Sequence, residues 1–155
     1  MGRFVLETAP NRLMGALLLA GVGISFANVV GRYVFGTAIF WAEEVLVFMT
    51  MWSVFLGLAA IAYSGAHLNM NLLSSRFSAR AKTAANAAAA ATIVVCSTFV
   101  AFQSYQIVVL FAQTGQVSVA AGVPKAIPHA ALLVGFSLTA IAVLVRIRSY
   151  LSGKF

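Results

Sequence analysis

Few side chains in this sequence are able to do chemistry. Among 155 residues there are two histidines, three acids and one cysteine, against ten lysines and arginines. The acids are Glu7, Glu43 and Glu44; the histidines are His67 and His129; the cysteine is Cys96. Two histidines invite a haem reading, because a pair of imidazoles can hold one iron. Here His67 follows one long apolar segment and His129 begins another, so a membrane bundle separates them by most of the bilayer thickness. One iron cannot bridge that gap. No group of His, Cys, Asp or Glu has the spacing of a metal site, and the single Cys96 builds no intrachain disulfide or cluster. No catalytic residue, cofactor or metal is expected.

The elements that would position these residues are apolar. Apolar residues make up 62% of the chain and charged ones 8%, where a soluble domain carries about 25% charged residues. A soluble enzyme and a disordered tail are excluded. The formal charge of +7 forms no basic stripe interleaved with aromatics, so no nucleic acid is expected as a partner. Charge-free runs cover residues 13–31, 45–75, 83–124 and 126–145. Lysines and arginines cluster between these runs, as they do in loops flanking membrane spans.

A spanning helix needs roughly 20 apolar residues. The sequence predicts an all-α integral membrane protein: one domain, residues 1–155, of four transmembrane helices in a compact bundle. The expected spans are about 13–35, 45–66, 86–112 and 126–145. The first is longer than the h-region of a signal peptide and ends in no convincing cleavage site, so it is read as retained. The third run exceeds what the hydrocarbon needs, so either its Ala-rich stretch 83–91 projects into the interface, as expected here, or the span tilts. Eight basic residues fall at the termini and in the middle loop, whereas Arg32 and Lys125 alone fall on the other side. The positive-inside rule then puts both termini in the cytoplasm.

Ionisable groups deep in a membrane mark ion and substrate paths, and all thirteen charges here fall at or near span ends. A small stand-alone exporter would need a carboxylate inside its first helix, and this helix has none. Polar residues within the spans (Asn28, Thr50, Asn86, Gln103 and Gln106) either line a path or, as is the commoner case and the expectation here, hydrogen-bond to neighbouring helices. Small residues recur at spacings of three and four, as Ala16, Ala20, Gly23, Ala27 and Gly31, and again as Ala131, Gly135, Thr139 and Ala142. Such stripes let helices approach closely. Between the first two spans, Arg32 sits at a helix C-terminus and Glu43 and Glu44 in the first turn of the next helix, where the helix dipoles suit their charges. They are expected to pair across the short loop or to face a partner, with Tyr33 and Trp41 in the interfacial aromatic belt.

These same residues carry a pattern. Asn28-Val-Val-Gly-Arg32-Tyr33-Val-Phe35 is followed by Trp41-Ala-Glu43-Glu44, then Trp52-Ser-Val-Phe55-Leu56-Gly57, then His67-Leu68. The order and spacing resemble the small permease subunit, DctQ-like or Q subunit, of tripartite ATP-independent periplasmic (TRAP) transporters. The motifs cover residues 28–73. Where that family often has an acidic residue shortly after the histidine, this chain has Asn69 and Asn71.

The resemblance implies a multi-pass protein of a bacterial or archaeal cytoplasmic membrane. It would work as the scaffold subunit of a sodium-coupled, receptor-dependent secondary transporter importing organic acids. Its implied partners are the large elevator-type permease (M) subunit, a periplasmic substrate-binding protein and the phospholipid bilayer. The implied interface residues are Asn28, Arg32, Tyr33, Trp41, Glu43, Glu44, Trp52, Gly57 and His67. A haem-binding membrane anchor of an electron-transfer complex and a stand-alone exporter are the alternatives.

Overall fold

A computed structural model describes residues 9–65 and 79–152. His67 lies outside the described residues, as do Asn69 and Asn71. Four long helices follow one another: α1 (Ala9–Tyr33), α2 (Ala42–Ser64), α3 (Ala79–Thr114) and α4 (Ala126–Val145). A short α5 (Ile147–Ser152) follows a break at Arg146. All four long helices are apolar and long enough to cross a membrane, with mean hydropathy between 1.8 and 2.2 in their best stretches. α3, at 36 residues, is about 54 Å long and outreaches the hydrocarbon. Its Ala-rich start, expected to project, is continuous helix.

The helices pack in the order α1, α2, α4, α3, with α5 lying against the start of α3. The bundle is therefore an open row. α4 sits between α2 and α3, whereas α1 packs extensively on α2 alone. Small residues line the packed seams. Ala59, Ala62, Ala131 and Ala142 are 0–1% exposed, while Leu19, Val22 and Phe26 on α1 are 67–76% exposed. This is the arrangement expected where lipid covers large apolar side chains and van der Waals packing joins helices through small ones.

Two glycines set the closeness of the seams. A Cβ on Gly135 of α4 would lie 2.6 Å from both the Cβ and the carbonyl oxygen of Phe55 on α2. A Cβ on Gly57 of α2 would lie 2.9 Å from the Met14 sulfur on α1. The α4 stripe is buried throughout (Ala131, Gly135, Thr139, Ala142). The α1 stripe is not: Ala16, Ala20, Gly23 and Ala27 are exposed, and nothing lies within 4 Å of a Cβ on Gly23.

At the end where α1 begins and α5 lies, α2, α3, α4 and α5 converge. Tyr63, Ala90, Val143 and Tyr150 form one buried cluster there. The Tyr150 hydroxyl donates to the carbonyl of Ala62, and the Arg146 guanidinium stacks 5.0 Å over the Tyr63 ring. Gly65 ends α2 in the left-handed conformation at φ 72° and donates its N–H to the same Ala62 carbonyl, a turn that favours glycine.

Candidate functional site

The conspicuous polar site lies at the other end, where the α1–α2 and α3–α4 loops meet. The first loop is built by its own motif. Asn28 Oδ1 accepts the backbone N–H of Ile39 at 2.8 Å, and the N–H of Thr37 reaches the carbonyl of Gly31 at 2.9 Å. Gly31 has no room for a side chain, since a Cβ there would lie 2.8 Å from the Thr37 oxygen. Gly36, at φ 66°, supplies the left-handed residue of the turn. Asn28 and Gly31 thus shape the hairpin that carries Arg32, Tyr33 and Trp41.

The second loop is a small antiparallel turn. Lys125 N–H donates to Gln116 at 2.9 Å, and Ser118 N–H donates to Val123 at 2.8 Å. Gly115 and Gly122, both with positive φ, allow the bends. Between them the N–H groups of Val119, Ala120 and Ala121 point together toward α2.

Those three donors end on Glu44. Its carboxylate accepts Val119 N–H and Ala120 N–H at 3.1 Å and Ala121 N–H at 2.7 Å. Successive backbone N–H groups converging on an anion form a nest; in this chain the anion is internal. Glu43, one residue earlier, pairs with Arg32 at 3.5 Å, both side chains being more than half exposed. The sequence expectation placed both acids opposite Arg32. Adjacent helical residues diverge by about 100°, so Arg32 takes Glu43 while Glu44 ties α2 to the α3–α4 loop.

The remaining expected residues separate. Tyr33 is 81% exposed and Trp41 45% exposed, beside Phe35 and Phe40 on the same hairpin. Trp52 is half-buried and Gly57 buried in the α1–α2 seam. Of the polar span residues, Asn28 bonds to a loop rather than to a neighbouring helix, and Thr50 Oγ1 donates to Leu46 within its own helix. Gln103 and Gln106 lie exposed on α3 and hydrogen-bond to no other described residue, contrary to the expectation for them.

Sequence reasoning missed a cleft of about 410 Å³ between the first turns of α2 and α4. Val47, Phe48, Met51 and Pro128 line its floor, and Glu43, Lys125 and His129 stand around it. His129 Nδ1 lies 3.0 Å from the Lys125 carbonyl oxygen, and its ring meets Phe111 edge-on at 4.8 Å. Lys125 pairs with no described carboxylate. No group of three metal-ligating side chains occurs among the described residues.

Comparison with known families decides the identity. Residues 21–153 match the family described as "Tripartite ATP-independent periplasmic transporters, DctQ component". The chain belongs to this family. A comparison with curated proteins gives no match. The DctQ match takes in all of α2, α3 and α4 and the second half of α1, so the loop-end site lies wholly inside it. A DctQ component is part of a transporter rather than an enzyme, and with its four apolar helices this one is a multi-pass membrane protein.

Proposed function

We propose that this DctQ component is the scaffold of a sodium-coupled importer of organic acids, packing against and stabilising a large elevator-type permease subunit that a periplasmic binding protein feeds. In this reading the protein resides in a bacterial or archaeal cytoplasmic membrane with both termini inside, as the eight-to-two distribution of basic residues favours. The observation that carries the reading is the exposure of Gln103 and Gln106 on α3, within the span. A carboxamide facing hydrocarbon lacks partners for its donors and acceptor, which is costly; a second subunit's helix supplies them.

Two further features support the same reading. The charged residues of the four long helices sit in their end turns: Arg12 and Arg32 in α1, Glu43 and Glu44 in α2, Arg80 and Lys82 in α3. Coupling ions and acidic substrates need charged or coordinating groups at mid-membrane, and these belong to the partner subunit. The open row of helices also leaves α1 packed on one side, with its small-residue stripe free for another helix.

Co-purification tests the reading. An affinity tag on this chain should recover the large permease subunit from membranes co-expressing both. Replacing Gln103 and Gln106 together by leucine should reduce that recovery while leaving the melting temperature of the isolated chain unchanged or higher. Undiminished recovery would show that α3 does not carry the contact. Failure of the unsubstituted chain to recover the large subunit would contradict the scaffold reading itself.

A further inference from the structure

We propose that the cleft between α2 and α4 binds one phospholipid from the leaflet nearest the two loops, with its phosphate at Lys125 and an acyl chain lying along α2. This inference needs only the membrane location of the helices and is independent of the scaffold reading.

Three observations select this occupant. First, the cleft does not end at its charged rim. A second groove of about 350 Å³ continues from it along α2, sharing Val47 and Met51 and extending to Thr50, Val54 and Phe55. From Glu43 to Val54 the path covers about 16 Å at 1.5 Å per residue, close to half of the roughly 30 Å hydrocarbon core. That is the depth of one leaflet. Val47 and Val54 are 56% and 57% exposed, so the groove is open from the side along which a chain would enter.

Second, the polarity of the path changes in the right direction. Its loop end is ringed by Glu43, Lys125 and His129, while its deeper part is lined by Val47, Met51, Val54 and Phe55. Thr50 is the polar exception, and its hydroxyl is already spent on Leu46. A charged head and one long apolar tail match this order. A soluble anion would leave the deeper groove empty, and an apolar helix would leave the Lys125 ammonium uncovered.

Third, Lys125 is half-buried and pairs with no described carboxylate. Of the two carboxylates in the cleft lining, Glu44 is occupied by three backbone N–H groups, and Glu43 is paired with Arg32. An ammonium beside apolar surface gains most from an anionic partner that also covers that surface. The two carboxylates in the lining make a zwitterionic head such as ethanolamine fit better than a net-negative one.

Native mass spectrometry of the full chain, titrated with phosphatidylethanolamine after delipidation, tests the proposal. One lipid per chain is expected to persist at detergent levels that strip further lipids. Lys125→Gln should weaken that binding about tenfold, Lys125→Arg should retain most of it, and Val54→Trp should block it. Arg148→Gln, at the opposite end, should have no effect. A variant-free arm uses the unsubstituted chain with diacylglycerol of the same acyl chains, which should bind at least tenfold more weakly than phosphatidylethanolamine. Equal binding of diacylglycerol, tighter binding of phosphatidylglycerol, or insensitivity to both Lys125→Gln and Val54→Trp would overturn it. So would a dimer of the chain that Val54→Trp dissociates, since the groove would then hold a second copy.

Discussion

The carboxylate of Glu44, in the first turn of α2, accepts the backbone N–H of Ala121 at 2.7 Å across 77 residues of sequence. With the N–H groups of Val119 and Ala120 on the same carboxylate, this side chain locks the α3–α4 loop onto α2. Glu43, its neighbour, makes an exposed pair with Arg32 of a kind worth about 0–1 kcal/mol. Glu44→Ala should therefore lower the melting temperature of the detergent-solubilised chain more than Glu43→Ala or Arg32→Ala. Hydrogen exchange should localise the effect, with the amides of residues 119–121 exchanging on the order of tenfold faster in Glu44→Ala. Equal effects of Glu43→Ala and Glu44→Ala would show that the loop is held otherwise.

Gly135 and Gly23 make a contrasting pair. A Cβ at Gly135 meets the Phe55 backbone at 2.6 Å, whereas one at Gly23 meets nothing. Gly135→Ala should force α2 and α4 apart and destabilise the isolated chain by about 1–3 kcal/mol. Gly23→Ala should leave it unchanged or slightly stabilise it, since alanine is the better helix former. Unfolding in a denaturing-detergent titration reads both.

The first hairpin depends on one side-chain acceptor. Asn28→Ala removes the bond from Ile39 N–H and should lower stability by about 0.5–1.5 kcal/mol. Gly31→Ala, whose Cβ would collide with the Thr37 carbonyl, should perturb the same loop without touching that bond. Limited proteolysis across residues 36–41 should show faster cleavage in both variants.

Tyr150 predicts an alkaline limit. Burial raises its phenol above the usual value near 10, with the nearby Arg146 charge opposing. The folded chain thus holds the phenolic proton more tightly than the unfolded chain. Stability from this source is complete below about pH 10 and is lost as pH rises through the folded value. Tyr150→Phe should lose the bond to Ala62, costing about 1 kcal/mol at neutral pH, and should flatten the decline above pH 10. A set of melting curves from pH 7 to 11 checks both parts.

Much of the architecture was legible because lipid imposes it. Charge-free runs located the four helices. What escaped the sequence was lateral order and side-chain direction. Stripes of small residues look alike on α1 and α4, yet the α4 stripe is buried and the α1 stripe exposed, because the helices form a row. Helix dipoles favoured both Glu43 and Glu44 equally. Their division between Arg32 and the distant loop depends on a contact 77 residues away, which no local pattern encodes. The cleft at Lys125 went unread for the same reason, since α2 and α4 bring its two walls together only in the fold. Gln103 and Gln106 are polar in any reading of the sequence, but their exposure is set by how α3 packs.

If this DctQ component is a scaffold, it supports transport without a pathway of its own. Proteoliposomes measure this directly, using sodium-driven uptake of a panel of labelled organic acids. Vesicles holding this chain alone should accumulate none of the panel. Vesicles holding this chain, the large permease subunit and the loaded binding protein should accumulate one or more of them. Sodium-dependent uptake by vesicles holding this chain alone would contradict the account.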